Sequence, residues 1–234
     1  MDATNAVRLV EQFHLLFLAQ LSRRVDRWTF VVKGGCNLRF FHRSIRYSED
    51  LDLDVGEIEV VALRDHVRAV FASRPFVQIL EARGIRIEHV TEHKQTDTTQ
   101  RWKLGLRVEG AAVPLPTKIE CSRRGLDEGV AFGSVDPSVS RGYQVPPLML
   151  SHYDAAAAFR QKVGAAGGAA GGAERLDAEV AARASANAMA IGFAMFKSQV
   201  LAYLPPEEQA HYDSASVWDT VVLEVVEALR THRP

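Results

Sequence analysis

The sequence lacks the features that define several specialised classes of protein. Its 234 residues include only 2 Cys, too few for disulfide bonds to stabilise a chain of this length. Its 16 Gly and 9 Pro are far fewer than a collagen-like or wholly low-complexity chain carries. No run approaches the roughly 18 consecutive apolar residues that predict a transmembrane helix, and residues 1–5 do not resemble a secretory signal. We therefore expect a soluble, cytoplasmic, globular protein.

A large net charge is also lacking, because 28 Lys and Arg oppose 29 Asp and Glu. A hydrophobic content of 47% excludes a disordered chain, and the near-neutral total argues weakly against a dedicated nucleic-acid binder. The charge is nevertheless uneven. Residues 1–126 carry 20 basic and 16 acidic side chains, and six of those carboxylates lie between Tyr47 and Val60 with no base among them. Such a cluster in a basic surround suits a metal-dependent enzyme acting on phosphates, although chance also produces one.

Hydrophobic periodicity predicts a sheet in the first half of the chain. Between Asp50 and Val55 acidic and apolar residues alternate strictly, which predicts a strand with one acidic face. The predicted helices lie at 5–24, 36–41 and 60–74. The predicted strands lie at 28–32, within 45–55, where the alternating stretch is 50–55, and at 85–89, 102–108 and 118–121. A polar hairpin is expected at 91–100 and a long loop at 125–147.

The second half of the chain reads as helical. We predict helices at 148–163 and 174–204, a short helix beginning at Pro205 and a last helix at 216–231. Residues 164–173 are a Gly/Ala tract in which a stable helix is not expected. The predicted fold class is therefore α+β, with a mixed β-sheet domain and flanking helices at 1–125 and a C-terminal helical domain at 148–234.

A glycine pair followed by two carboxylates is the strongest chemical signal in the sequence. Gly34 and Gly35 lie between a predicted strand and a predicted helix, where backbone N–H groups can approach a phosphate. Asp50 and Asp52 are two residues apart on a strand and so share one face. Carboxylates in that arrangement suit Mg²⁺. Glu120, on another predicted strand, could supply a third carboxylate to a two-metal site.

The same features have simpler interpretations. An isolated Asp-x-Asp on a strand is often a solvent-exposed face or a turn, and a glycine pair alone is weaker still. The combination in this order favours the metal site.

These residues carry a resemblance to a known family. The segment 30–41, which contains Lys33-Gly34-Gly35-Cys36, and the segment 46–53, Arg-Tyr-Ser-Glu-Asp-Leu-Asp-Leu, resemble the AbiEii/AbiGii-type nucleotidyltransferase toxins. Those proteins are similar to polymerase β-type nucleotidyltransferases and are the toxins of type IV toxin–antitoxin or abortive-infection systems. The resemblance implies a nucleotidyltransferase-like mixed-sheet domain and transfer of NMP from an NTP to an acceptor hydroxyl.

The resemblance also assigns roles to individual residues. Asp50, Asp52 and Glu120 would hold Mg²⁺, and Lys162, in a segment similar to the family's E-K-x-x-A element, would offset phosphate charge. The implied nucleotide-binding residues are Lys33, Gly34, Gly35, Cys36, Arg46 and Ser48.

Two departures from the family pattern are informative. Cys36 replaces the usual Ser or Thr after the glycines, and a thiol is a weaker donor than a hydroxyl. The family's later R-D-x-(Y/F)-D-L segment is missing. The Gly/Ala tract 164–173 stands in its place, and Asp177 is the only nearby substitute.

Three functions remain open at this point. The first is a nucleotidyltransferase toxin that modifies an RNA, such as a tRNA 3′ end, or a protein, and is paired with an antitoxin. The second is a decayed member that only binds nucleotide or antitoxin. The third is a small-molecule nucleotidyltransferase, ranked lowest because such enzymes usually carry Gly-Ser. A group of basic residues could grip RNA or could be an ordinary solvated surface: Arg39, Arg43, Arg101, Lys103, Arg123 and Arg124.

Overall fold

A computed structural model describes residues 3–168 and 178–231, with side chains from Asn5 onward. Up to Tyr153 the elements are α1 (Ala3–Leu21), β1 (Phe30–Lys33), α2 (Gly34–Phe41), β2 (Leu51–Val55), α3 (Val60–Phe71), α4 (Arg74–Glu81), β3 (Ile85–Gln95), β4 (Thr99–Val108), β5 (Leu115–Ser122), β6 (Val130–Ser134), α5 (Pro137–Gly142) and β7 (Met149–Tyr153). Beyond it lie α6 (Ala155–Ala166), α7 (Ala178–Met189), α8 (Phe193–Gln199), a 3-10 turn (Leu201–Tyr203), α9 (Pro206–Tyr212) and α10 (Ala215–Thr231). No helix in these described ranges is long and apolar enough to cross a membrane.

The seven strands form one mixed sheet in the order β3-β4-β5-β2-β1-β7-β6. The pairs β2/β5 and β1/β7 are parallel, and the other neighbouring strands are antiparallel. The prediction of an α+β fold built on a mixed sheet is confirmed. The predicted strand at Lys118–Cys121 lies within β5, which pairs with β4 in the sheet.

Period-2 and helical patterns explain how the sheet acquires its core. On β4, Trp102, Leu104 and Leu106 are buried on one face, whereas Lys103 on the other face is exposed. The apolar face of α1 buries its aromatic and aliphatic residues in the same core, including Phe13, Phe17 and Leu21 at helical spacing. Burial of each such side chain is worth about 1.5–3 kcal/mol.

The chain divides into two compact units. The first contains the described residues up to Leu126 together with Val130–Tyr153, and the second contains Asp127–Gly129 and the described residues from Asp154 onward. Two apolar clusters pack among the described residues of the second unit. One joins Val163, Val180 and Leu229, and the other joins Phe196 and Leu204 with their neighbours.

Two predicted elements in the middle of the chain are wrong. The predicted helix at 148–163 is the strand β7 followed by α6, which begins after Asp154 because that side chain accepts a hydrogen bond from the Ala157 backbone N–H at 2.8 Å. The predicted loop at 125–147 contains β6 and α5. Asp136 caps α5 by accepting from the Ser138 N–H at 2.7 Å, so local capping chemistry sets both boundaries.

Smaller corrections concern the ends of elements. The expected hairpin at 91–100 is mostly strand, because β3 runs to Gln95 and β4 begins at Thr99. The expected helix at 174–204 is interrupted at Gly192, which precedes α8, and ends in the 3-10 turn. The short helix beginning at Pro205–Pro206 and the last helix are confirmed as α9 and α10. The Gly/Ala tract beyond Gly168 lies outside the described residues.

Candidate active site

The start of α2 is packed directly against β2, which begins immediately after Asp50 and contains Asp52. Gly34 has a φ of +66°, and a Cβ atom at this position would lie 2.7 Å from Asp52 Oδ2. A Cβ on Gly35 would lie 2.6 Å from Ser48 Oγ. Both close approaches require the absence of a side chain. The two glycines therefore bring the first N–H groups of α2 next to Asp52 and Ser48.

Strand register gathers carboxylates and cations on one face of the sheet. Asp52 pairs with Lys33 on β1 and with Glu120 on β5, and Glu120 pairs with Arg101 on β4. The Lys118 ammonium lies 3.1 Å from Asp50 Oδ2 and 3.7 Å from Glu120 Oε2. The structure therefore brings Asp50, Asp52 and Glu120 to one locality, with Lys118 among them.

The environment separates the proton affinities of these carboxyl groups. Burial is the largest influence on Asp52 and raises its pKa, and the charges of Asp50 and Glu120 act in the same direction against the opposing charge of Lys118. Burial would also raise the pKa of Glu120, but the hydrogen bond from Arg101 and the charges of Arg101 and Lys118 outweigh it, so that pKa is lowered. Glu120 is thus held ionised.

The chemistry of the carboxylates fits a hard divalent cation, but their present arrangement does not. Asp50 and Glu120 already contact a positive charge, the Lys118 ammonium, and ionised carboxylate oxygens are the ligands that Mg²⁺ prefers. As the side chains stand, no group of three or more His, Cys, Asp or Glu residues within 3–168 and 178–231 is arranged to hold a metal. The Glu120 carboxylate instead forms ion pairs with Lys118 and Arg101. Arg101 Nε donates a hydrogen bond to Glu120 Oε2 at 2.8 Å.

The third aspartate of the strand has a different role from its neighbours. The Asp54 side chain is only 6% exposed; it accepts a hydrogen bond from Lys33 Nζ at 2.5 Å and another from the Tyr153 hydroxyl at 2.9 Å. At this end of the expected acidic face the carboxylate is buried. Through Lys33 and Tyr153, Asp54 connects β2 to β1 and β7. Lys33, a predicted nucleotide-binding residue, is engaged in this ion pair.

Buried polar groups fix the backbone that carries Asp50. Its carbonyl accepts hydrogen bonds from Ser48 Oγ at 2.9 Å and Cys36 Sγ at 3.3 Å. The neighbouring Glu49 carbonyl accepts from Thr117 Oγ1 at 2.7 Å. The Cys36 thiol is fully buried, so only its backbone N–H could meet a phosphate.

The remaining predicted nucleotide-binding residue, Arg46, lies close to the glycine pair. Its Nη1 atom would be 3.9 Å from a Cβ on Gly35, and the same atom donates to the Tyr47 carbonyl at 3.2 Å. Arg39 stabilises the chain just before Arg46. Its guanidinium donates hydrogen bonds to the Ser44 carbonyl at 2.9 Å and to the buried Glu11 carboxylate.

Lys162 is an exposed residue of α6 in the second unit. Its predicted role toward phosphate stays a prediction. Asp177, the only substitute for the aspartate of the missing motif, lies outside the described residues.

Most of the basic residues considered for RNA contact have intramolecular partners. Arg101 pairs with Glu120, Arg43 with Asp136, and Arg123 donates to Gln100 and to the Ile58 carbonyl. Lys103 is exposed next to Lys118 across the β4/β5 pair.

Two residues of the site are absent from the sequence prediction. Lys118 is two residues before Glu120, so strand alternation alone places it on the same face. Tyr153 has no comparable signal, because the pattern around it predicts the beginning of a helix.

Comparison with solved structures identifies the class of fold. MenT4, a nucleotidyltransferase toxin from Mycobacterium tuberculosis H37Rv, superposes with a TM-score of 0.59 at 14% identity, covering 100% of this chain and 87% of that one. A protein from H. pylori described as a candidate nucleotidyltransferase gives 0.56 at 17% identity, covering 96% of both chains. At these identities the likeness shows a shared fold. No curated protein matches the sequence significantly.

The sequence also matches the family model of the nucleotidyl transferase AbiEii toxins, of type IV toxin–antitoxin systems, over residues 16–166. Because this match spans more than half of the chain, the protein belongs to the AbiEii nucleotidyltransferase toxin family. The family predicted from the two motifs is confirmed.

Proposed function

We propose that this protein transfers a nucleoside monophosphate from an NTP to an acceptor hydroxyl, with Mg²⁺, and releases pyrophosphate. The observation that carries the proposal is the contact between the start of α2 and Asp52, where a Cβ on Gly34 would lie 2.7 Å from the carboxylate. This geometry puts helix N–H groups, which favour phosphate, beside carboxylates, which favour a divalent cation.

The chain's own residues have separate tasks in this reaction. The N–H groups at Gly34, Gly35 and Cys36 seat the triphosphate, with Arg46 and Ser48 beside them. Asp50, Asp52 and Glu120 would hold the metal. Lys162 would offset the charge of the departing pyrophosphate. A bound Mg²⁺ would polarise the α-phosphate and stabilise the leaving group.

Proton and bond changes balance with one carboxylate base. The acceptor oxygen forms a bond to the α-phosphorus while the bond from that phosphorus to the bridging oxygen breaks, and pyrophosphate leaves with that electron pair. The acceptor proton passes to a carboxylate, for which we propose Glu120. In the nucleotide-free protein Arg101 and Lys118 keep Glu120 ionised, and an ionised carboxylate can accept a proton.

The acceptor and the partner follow from the family rather than from the geometry. We propose an RNA acceptor, such as the 3′ end of a tRNA, with a protein hydroxyl as the other outcome of the test. Membership of a type IV toxin–antitoxin family also implies a cognate antitoxin. A small DNA-binding-type protein encoded next to this gene would support that implication.

The test is incubation with each of the four labelled NTPs, Mg²⁺ and total RNA from the host cell. We expect one NTP to label RNA, and Asp52→Asn to abolish the labelling while its unfolding transition stays cooperative. Labelling that survives Asp52→Asn removes Asp52 from the mechanism. No labelling of RNA or protein by the wild type, where a related toxin labels its substrate, rejects the enzymatic proposal.

A second candidate is a decayed family member that binds nucleotide or antitoxin without catalysis. The Gly/Ala tract at 164–173, in place of the family's R-D-x-(Y/F)-D-L segment, favours it. Isothermal calorimetry separates the two, because a decayed member would still bind NTP but would transfer no label.

A further inference from the structure

The Lys118 ammonium takes the place between two carboxylates in which a cation is expected. It lies 3.1 Å from Asp50 Oδ2 and 3.7 Å from Glu120 Oε2. A lysine side chain carries a positive charge at neutral pH, and both of these contacts are with carboxylates. The lysine therefore neutralises charge that would otherwise be concentrated at the site.

The position of Lys118 is set by the sheet and not by a flexible loop. Residue 118 lies inside β5, which is hydrogen-bonded on one side to β4 and on the other to β2. Its side chain is 33% exposed, so the ammonium can swing toward solvent or toward a bound anion without unfolding the strand. Two unit charges of the same sign a few ångströms apart repel strongly in a partly buried site.

We propose that Lys118 is an internal counter-cation that competes with the divalent metal for Asp50 and Glu120. In the free protein the ammonium holds the two carboxylates. When a nucleotide brings its phosphates, the ammonium moves to them and leaves the carboxylates to the metal. The site consequently takes up metal weakly alone and tightly together with phosphate. This inference rests on the proposed metal-dependent function and concerns the control of that same site.

The competition is tested by Mn²⁺ titration without nucleotide, with free Mn²⁺ followed by electron paramagnetic resonance. Replacement of Lys118 by a neutral side chain should tighten Mn²⁺ binding at least about tenfold, because the competing charge is removed. Lys118→Met and Lys118→Gln are both used, so that a folding failure of one does not decide the result. Lys103→Met is the matched control, since Lys103 is the register partner of Lys118 on β4, whereas Lys118 is the lysine that contacts Asp50 and Glu120. The Mn²⁺ affinity of Lys103→Met should rise much less than that of the Lys118 variants.

A second measurement uses stability in place of binding. Added Mg²⁺ should raise the Tm of the Lys118 variants more than that of the wild type or of Lys103→Met. Equal or weaker Mn²⁺ binding by both Lys118 variants, compared with wild type, overturns the inference. If the Lys118 inference is overturned in this way but the wild type labels RNA, the proposed function stands without the inference. Tighter Mn²⁺ binding by the Lys118 variants, with no label transfer by wild type, supports the competition and rejects the enzyme.

Discussion

Asp52 approaches Gly34 so closely that a Cβ atom on the glycine would lie 2.7 Å from the carboxylate oxygen Oδ2. Gly34 also has a φ of +66°, a conformation that L side chains rarely adopt. Backbone geometry and side-chain contact therefore each require glycine, and the contact couples the start of α2 to the strand β2, which contains Asp52.

Gly34→Ala should damage both folding and function. Left-handed backbone costs roughly 1–2 kcal/mol for an alanine, and displacement of Asp52 should add about 1–3 kcal/mol. Gly84→Ala is the matched control, because Gly84 has a φ of +68° and a Cβ added there would meet nothing within 4 Å. Urea unfolding of both variants isolates the contribution of the contact. Equal losses of stability would mean that Asp52 moves away at no cost.

Lys33→Met should leave the buried Asp54 without its counter-charge. Loss of one partner of a buried ion pair costs about 3–5 kcal/mol, and the partial exposure of Lys33 places the expected value near the lower end. The double variant Lys33→Met/Asp54→Asn should recover part of this loss, because it removes the stranded charge. Chemical denaturation of the wild type and both variants measures the difference. A single variant as stable as wild type would show that Tyr153 alone satisfies Asp54.

The parts of this site that sequence could predict are those encoded locally. The glycine pair, the alternation of Asp50 and Asp52 with apolar residues, and the shared face of Lys118 and Glu120 all lie within short segments. The contact of Lys118 with Asp50 depends on the parallel pairing of β2 with β5, whose partners are distant in the chain. Local patterns carry no information about that register.

The strand β7 illustrates the same limit for the fold. The alanine-rich residues after Asp154 extend a helical pattern backward over 148–153, but pairing with β1 and β6 fixes those residues as strand. The partners of Asp54 cannot be predicted from local sequence for the same reason, since Tyr153 ends that strand.

The domain boundaries at 125 and 148 remain a prediction.

Stability should depend on pH through the buried His14. Its Nε2 lies 2.8 Å from Thr117 Oγ1, and burial lowers its pKa to about 3 from the ordinary 6.5. Below about pH 6.5, His14 therefore binds a proton in the unfolded chain but not in the folded chain. The contribution of His14 to the free energy of unfolding is fully present above that pH. It decreases as the pH falls toward 3, by up to about 1.4 kcal/mol per pH unit.

The measurement compares wild type with His14→Gln across this range. Between pH 6 and pH 4 the wild type should lose about 2 kcal/mol more stability than the variant, whose glutamine does not titrate. Parallel pH profiles for the two proteins would show that His14 gains a proton without unfolding.

Both thiols should be inert in the native protein. Cys36 and Cys121 are free and buried. Burial raises the pKa of Cys121 to about 12 and raises that of Cys36 as well, so the reactive thiolate is scarce at neutral pH. A thiol-reactive dye should label neither residue in the folded protein and both in denaturant. Rapid native labelling of Cys36 would mean that α2 separates from Asp50 in solution and that this end of the candidate site opens without ligand.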